Sequence, residues 1–150
     1  RRLLHTNNPL PTSALQSKFS VQYAVARVLQ YRTLVLQDFT DDAFADPTVR
    51  KLLDITSVQP FSENSEGPNG LWDAKVSVTL NDGQVLVRNI INMIGRCGVN
   101  AMRRDELHEK FMNCSGLLLS ADVSDQAFNS LMSLEKCENL HDIFKFFKAQ

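Results

Sequence analysis

The 150-residue sequence contains no apolar run near the roughly 20 residues that a membrane-spanning helix requires. Charge of either sign is not in excess, since 16 lysines and arginines against 17 aspartates and glutamates leave a net charge of −1. Nucleic acids and anionic membranes select basic surfaces, so neither is an expected partner. The first residues, RRLLHTNNPLPTS, lack the apolar segment of a signal peptide. Because the chain does not begin with methionine, we expect it to be part of a longer protein.

Cysteine and histidine are scarce as well, and their spacing argues against a disulfide framework and against a metal site. The chain has three cysteines, Cys97, Cys114 and Cys137, and they include no C-x-x-C pair. This usage favours reduced thiols in a cytoplasmic protein over a disulfide framework. No H-x-x-x-H or H-x-x-E spacing joins the three histidines, so the sequence predicts no metal site.

The stretch KFSVQYAVARVL predicts an amphipathic helix that begins near Ser17 or Ser20, either of which can cap it. Its aliphatic residues recur at i, i+3, i+4, i+7 and i+8, the spacing of a buried face: Val21, Ala24, Val25, Val28 and Leu29. We therefore expect this stripe to face the core.

The opposite side of the same helix is unusual for a solvated surface. Phe19, Tyr23, Ala26 and Gln30 cluster there, about half a turn from the aliphatic stripe. Two aromatic residues and a small one suit a contact surface for another domain or a ligand. The alternative is a helix buried on both sides, in which the Tyr23 hydroxyl merely finds a hydrogen-bond partner. Periodicity alone favours this second arrangement.

Shorter elements follow. Thr40 suits the cap of a short turn, and Pro47 suits the first position of a second helix that ends near Asp54. The segment ITSVQPF then predicts a strand that ends at Pro60.

Residues 71–91 are predicted to form an antiparallel hairpin. The run AKVSVTL alternates, with Val76, Val78 and Leu80 on one side, and QVLVRNII returns after the turn at Asn81–Gly83. Asp-Gly between two alternating runs is the strongest short-range signal of a hairpin. Because one side of the first strand is apolar, we expect helices to pack on that face.

The remaining sequence predicts three helices. The segment DELHEKFMNCSGLL opens with acidic residues that suit a helix N-terminus, and DVSDQAFNSLMSLEK offers Ser124 as a cap. In the last segment one apolar stripe comprises Leu140, Ile143, Phe144 and Phe147, and Phe146 lies outside it. The fold class that follows is α+β, a single domain over 1–150 with a small antiparallel sheet packed by helices.

Several of these motifs, in this order, resemble the lid domain of the MmgE/PrpD family. They are KFSVQYAVARVL, DFTDDAFADPTVRKLL, the hairpin AKVSVTLNDG and DELHEKF before the final helices. The resemblance covers nearly the whole chain. The family includes 2-methylcitrate dehydratase, cis-aconitate decarboxylase and iminodisuccinate epimerase, so it implies an enzyme of this kind.

The resemblance implies that residues 1–150 are the C-terminal lid of a two-domain enzyme and are inactive alone. The implied partners are a large helical N-terminal domain and a small di- or tricarboxylate, bound between the two domains without metal or organic cofactor. The tyrosine of the F-S-x-x-Y motif reaches that cleft in the family, and Tyr23 is the matching residue. Lys18 and Ser20 flank it as candidate substrate-binding residues, although Lys18 is equally well explained as a solvated surface lysine.

The resemblance leaves some questions open. Tyr31 and Arg32 stand where the family has a glycine, and GRCGVNAM lacks both prolines of the family's Gly-x-Pro-x-Asn-Pro loop. Dehydration, decarboxylation and epimerisation therefore all remain candidate reactions, and a homodimer stays open. A rival interpretation is a non-catalytic α+β module that binds a partner chain. A lid without its partner domain should expose an apolar patch, with Phe19 and Tyr23 in or beside it.

Overall fold

The computed structural model describes residues 5–59, 74–90, 94–95 and 100–147. By their internal contacts the residues divide into two compact units, Arg1–Pro60 and Phe61–Gln150. Each unit is described by itself below. The single domain over 1–150 stays a prediction.

The first unit is helical in its described part. It contains α1 (Ala14–Ser17), α2 (Val21–Tyr31), a 3₁₀ turn (Leu36–Phe39), α3 (Asp41–Ala45) and α4 (Pro47–Asp54). Ser20 and Thr40 cap α2 and α3 as predicted, because each hydroxyl accepts a backbone N–H of the first turn. Asp46 caps α4, with Pro47 at the first helical position. Local side-chain chemistry thus sets where these helices begin.

The core of the first unit lies between α2 and α4. It consists of Tyr23 and Ala26 from α2 and of Val49 and Leu53 from α4, all 0–2% exposed. Partly buried side chains surround this core, namely Phe39, Phe44 and Leu52.

The buried face of α2 is therefore the reverse of the predicted one. Val21, Val28 and Leu29 are 36%, 43% and 45% exposed, whereas Tyr23 and Ala26 are 0% exposed. Burying the large Tyr23 ring removes more apolar area from water than burying a valine, and Ala26 allows α4 to approach closely. The prediction that the aliphatic stripe faces the core of this unit is wrong.

The predicted strand from Ile55 is also wrong within the described residues. The chain from Ile55 to Gln59 is not extended into a sheet. Its first backbone groups still close α4, since the amides of Ile55 and Thr56 donate to Leu52 and Leu53 and the Thr56 hydroxyl donates to the Leu52 carbonyl at 2.7 Å. The part of this segment beyond Gln59 lies outside the described residues.

The second unit contains the predicted hairpin. Strand β1 (Ala74–Thr79) pairs antiparallel with β2 (Val85–Ile90), from Ala74 opposite Ile90 to Thr79 opposite Val85. The Leu80 amide donates to the Gln84 carbonyl at 2.8 Å and closes the loop. The turn at Asn81–Gly83 is confirmed, whereas residues 71–73 and 91 lie outside the described residues.

One face of this sheet is apolar but open. Val76 and Val78 are half-buried, and the cross-strand neighbour of Val78, Leu86, is 49% exposed. All six residues of β2 are exposed. The predicted cover of helices is therefore missing from β2 in the part of the chain that the structure describes.

Gly83 is required by the hairpin turn, and Gly83→Ala is expected to destabilise it by roughly 1–2 kcal/mol. Gly83 has a φ of +88°, a left-handed conformation that a Cβ disfavours, and no atom lies within 4 Å of a Cβ built there. Faster hydrogen exchange at the Leu80 amide would report the loss. Asn81→Ala is the control, and equal exchange in both variants would contradict the strain argument.

Helices complete the second unit: α5 (Arg104–Ser115), α6 (Ala121–Leu131) and α7 (Leu140–Phe144), with 3₁₀ turns at Leu134–Lys136 and Lys145–Phe147. Asp105 and Glu106 occupy the first turn of α5 as predicted. The cap of α6 is Ser120 and not Ser124, which is buried one turn inside the helix. The predicted cap at Ser124 is therefore wrong.

The last apolar stripe is largely exposed. Ile143 is 5% exposed, but Leu140, Phe144 and Phe147 are 54%, 60% and 45% exposed. Phe146, predicted to lie off the stripe, is half-buried. From Lys145 the chain continues as a 3₁₀ turn, in which the angle per residue differs, so the α-helical stripe does not extend to Phe146 and Phe147. Leu140 and Phe144 precede this change, and it does not explain their exposure.

The described chain thus combines seven α-helices with one two-stranded antiparallel sheet. This composition confirms the predicted α+β class. None of the helices within the described ranges has the length and apolar character needed to cross a membrane.

Candidate functional site

The KFSVQY motif forms the junction between α1 and α2. Ser20 is 2% exposed, and its hydroxyl accepts the Tyr23 amide at 3.1 Å while donating to the Asn8 carbonyl at 2.6 Å. This side chain therefore caps α2 and ties the preceding segment to it. The single hydroxyl proton of Ser20 is committed to Asn8.

Lys18 and Phe19 differ from Ser20 because both are exposed. Phe19 is 56% exposed. The Lys18 amide donates to the Leu15 carbonyl at 3.3 Å, but its ammonium group makes no hydrogen bond or ion pair with the described residues. The ammonium group of Lys18 is thus available to a ligand. The exposure of Phe19 agrees with its predicted position at an apolar patch, whereas Tyr23 is 0% exposed, and the patch itself stays a prediction.

Tyr23 is enclosed by the first unit. Its hydroxyl donates to the main-chain carbonyl of Asp38 at 2.6 Å. Its ring lies 5.9 Å from that of Phe39 and 6.0 Å from that of Phe44, between centroids. Burial raises the pKa of Tyr23 above the ordinary 10.0, and the nearby Arg27 cation partly opposes this rise. The phenol is consequently protonated at neutral pH.

Arg27 lies one helical turn after Tyr23 and is 8% exposed. Its guanidinium forms a salt bridge with the Asp38 carboxylate and lies 3.7 Å from a carboxylate oxygen of Asp46. It also stacks over the Tyr31 ring, 4.3 Å from the centroid. One buried cation therefore joins α2 to the 3₁₀ turn and to the cap of α4.

The two aspartates around Arg27 have further partners. The second carboxylate oxygen of Asp38 accepts the Val35 amide at 2.7 Å, and Asp46 accepts the Tyr31 hydroxyl. The Tyr31 hydrogen bond lowers the pKa of Asp46 below the ordinary 3.8. The stabilisation from Asp46 is thus present above pH 3.8 and is lost as the pH falls through its lower folded value.

The structure thus brings together Ser20 and Tyr23 from the predicted set and leaves Lys18 at the surface. Sequence reasoning missed Arg27 and Asp38. Arg27 follows Tyr23 at i+4, which places both on one helix face, and this spacing was a usable signal. Asp38 carried none, because other aspartates follow within four residues in QDFTDD.

A second polar cluster lies on the second unit, in a depression of about 480 Å³ between α5 and α6. His108 Nε2 lies 2.8 Å from Asp125, Asn129 donates to Asp125 at 2.9 Å, and Arg104 donates to Asn129 at 2.9 Å. These groups satisfy one another and join the two helices. In the described ranges no three histidine, cysteine, aspartate or glutamate side chains come together as metal ligands.

A known family model matches most of the chain. The family model described as the MmgE/PrpD C-terminal domain matches residues 2–134. No curated protein matches the sequence significantly. The matched range contains all of the first unit's described helices, the hairpin, and helices α5 and α6. The chain therefore belongs to the MmgE/PrpD family and represents its C-terminal domain.

Proposed function

We propose that this chain is the lid domain of a cofactor-independent lyase or epimerase that acts on small di- or tricarboxylates. The observation that carries the proposal is the family match over residues 2–134, which includes the KFSVQY motif. Its partners are a helical N-terminal domain and the polycarboxylate substrate, and the lid alone is inactive. Three cysteines without a C-x-x-C pair support a cytoplasmic location.

Within this proposal, Tyr23 is the catalytic residue of the lid. The reactions of such enzymes move a proton next to a carboxylate, and a phenol with a raised pKa acts at neutral pH as a proton or hydrogen-bond donor. Because the Tyr23 hydroxyl is bonded to Asp38, substrate must replace that carbonyl as its acceptor. Lys18, whose ammonium is free among the described residues, supplies charge for a substrate carboxylate. Ser20 supplies a hydroxyl beside it only if the substrate replaces the Asn8 carbonyl as the acceptor of its proton.

The complete burial of Tyr23 favours a second role for this residue. A phenol at 0% exposure with a satisfied hydroxyl is also what a purely structural tyrosine looks like. In that case the lid contributes enclosure and its surface lysine, while the proton transfer belongs to the N-terminal domain.

A second candidate function, a non-catalytic module that binds a partner chain, is favoured by the exposed strand β2. Val85, Leu86 and Val87 are 54%, 49% and 52% exposed on a strand with an unpaired edge within the described residues. Such an edge suits the addition of a strand from another protein. The sequence upstream of Arg1 separates the candidates, because the lid requires a preceding helical domain in the same reading frame.

The full-length protein is expected to turn over cis-aconitate, 2-methylcitrate or iminodisuccinate, and to keep its rate after dialysis against EDTA. The 150-residue chain at equal concentration is the control and should be inactive. Product formation measured by NMR would check both points. Absence of turnover on all three compounds would contradict the substrate class, and a rate restored only by added metal would contradict cofactor independence.

A further inference from the structure

Tyr23 and Arg27 both bind Asp38, a residue of the 3₁₀ turn. They lie four positions apart on α2, so their side chains leave the same face of the helix. The Tyr23 hydroxyl donates to the main-chain carbonyl of Asp38, and the Arg27 guanidinium pairs with the carboxylate of the same residue. The acceptor of the tyrosine and the partner of the arginine are therefore covalently linked.

Both carboxylate oxygens of Asp38 have a partner. One carboxylate oxygen contacts Arg27, and the other accepts the Val35 amide at 2.7 Å. These two contacts leave the residue little freedom to rotate, so the direction of its carbonyl is fixed with respect to α2. Removing the guanidinium would release one of the two anchors and allow the carbonyl to turn.

Stability alone does not account for Arg27. The residue is 8% exposed, and its Nε atom is buried without a hydrogen-bond partner among the described residues. An apolar side chain in place of a buried ion pair is often as stable or more so, because both charges must be desolvated. The presence of Arg27, with its Nε donor unsatisfied, is better explained by the position in which its other donors hold Asp38.

We propose that Arg27 is a positioning residue for Tyr23, acting through Asp38. By fixing the Asp38 carbonyl it sets the direction of the Tyr23 hydroxyl and thereby the approach of the substrate that replaces this carbonyl. The inference rests on the proposed catalytic role of Tyr23. The Arg27 guanidinium is enclosed by Asp38, Asp46 and Tyr31, so the proposed role is exerted through Asp38 and not by binding substrate.

The test is a double-mutant cycle on kcat in the full-length protein, with Tyr23→Phe and two replacements of Arg27. Arg27→Met is expected to lower kcat on the order of 10–10²-fold with little change in KM, since misplacing a reacting group by about 1 Å has effects of this size. Arg27→Lys keeps the charge but loses the planar fork, so it should recover part of the rate. In the Tyr23→Phe background neither replacement should lower kcat further.

Val49→Ala is the matched control for lost stability, because Val49 lies in the same core at 0% exposure. Its kcat per folded molecule should equal that of the wild type. If Arg27→Lys lowers kcat by the same factor in the Tyr23→Phe background, the positioning role is overturned while the role of Tyr23 stands. An effect of Arg27→Lys on KM alone would have the same consequence. Wild-type kcat for Tyr23→Phe would instead overturn the proposed role of Tyr23 and the inference with it. Arg27→Lys keeps the test decisive should Arg27→Met fail to fold.

Discussion

In the full-length protein, Tyr23→Phe is expected to lower turnover of the polycarboxylate substrate on the order of 10²–10⁴-fold, the range typical of a lost general acid or base. The replacement keeps the ring that fills the core beside Ala26 and removes only the hydroxyl. It leaves the Asp38 carbonyl without this donor, so unfolding free energy should also fall by roughly 1–3 kcal/mol. Steady-state kinetics on the active compound, corrected for the folded fraction, gives the measurement.

Tyr31→Phe is the matched control, because Tyr31 is the second of the chain's two tyrosines and also donates its hydroxyl to one acceptor. It should leave kcat and KM unchanged. A loss in the Tyr23 variant that appears mainly in KM would mean that the hydroxyl holds a substrate carboxylate without transferring a proton. Wild-type kinetics in both variants would establish Tyr23 as a packing residue and leave the chemistry to the N-terminal domain.

Asp38→Ala is expected to cost roughly 3–5 kcal/mol of unfolding free energy in the first unit, the largest stability effect that the structure predicts. Alanine removes the carboxylate that pairs with Arg27 and leaves a guanidinium buried with only the more distant Asp46 as counter-charge. It also removes the acceptor of the Val35 amide. Native-state hydrogen exchange of α2 and α4 amides would measure the change without requiring that both units unfold together.

Asp54→Ala controls for the loss of one aspartate, because Asp54 is exposed at the end of α4. Its effect should stay within about 0.5 kcal/mol, as is usual for surface positions. Equal protection factors in the Asp38 and Asp54 variants would show that Arg27 is not an uncompensated charge. The Arg27–Asp38 ion pair would then be accessible to water in solution.

Elements with local signals could be predicted from the sequence. Helix α4 carries its cap and proline side by side, and the hairpin carries Asp82-Gly83 between two alternating runs. These features fix backbone geometry within a few residues, so neighbouring side chains are sufficient to specify them. The α+β class follows from their order along the chain.

The burial of α2 could not be predicted in the same way. Its face is chosen by α4 and by the 3₁₀ turn, and the decisive bond joins Tyr23 to Asp38 across fifteen positions of sequence. A hydrophobic stripe shows only that one face prefers an apolar neighbour and not whether this neighbour lies in the same unit. The same limit explains Leu140 and Phe144 of α7, which are exposed although the sequence placed them on an apolar helical stripe.

The openness of β2 has a consequence for handling the protein. A six-residue strand with four exposed aliphatic side chains can add to the same strand of another molecule and begin aggregation through its edge. Arg88 is the sole charged residue of VLVRNI, and it stands opposite Val76 in the middle of the pairing register. Charges in such positions act as gatekeepers against stacking. Among the residues of β2, Arg88 is therefore the one side chain whose charge opposes the addition of a second copy of this strand.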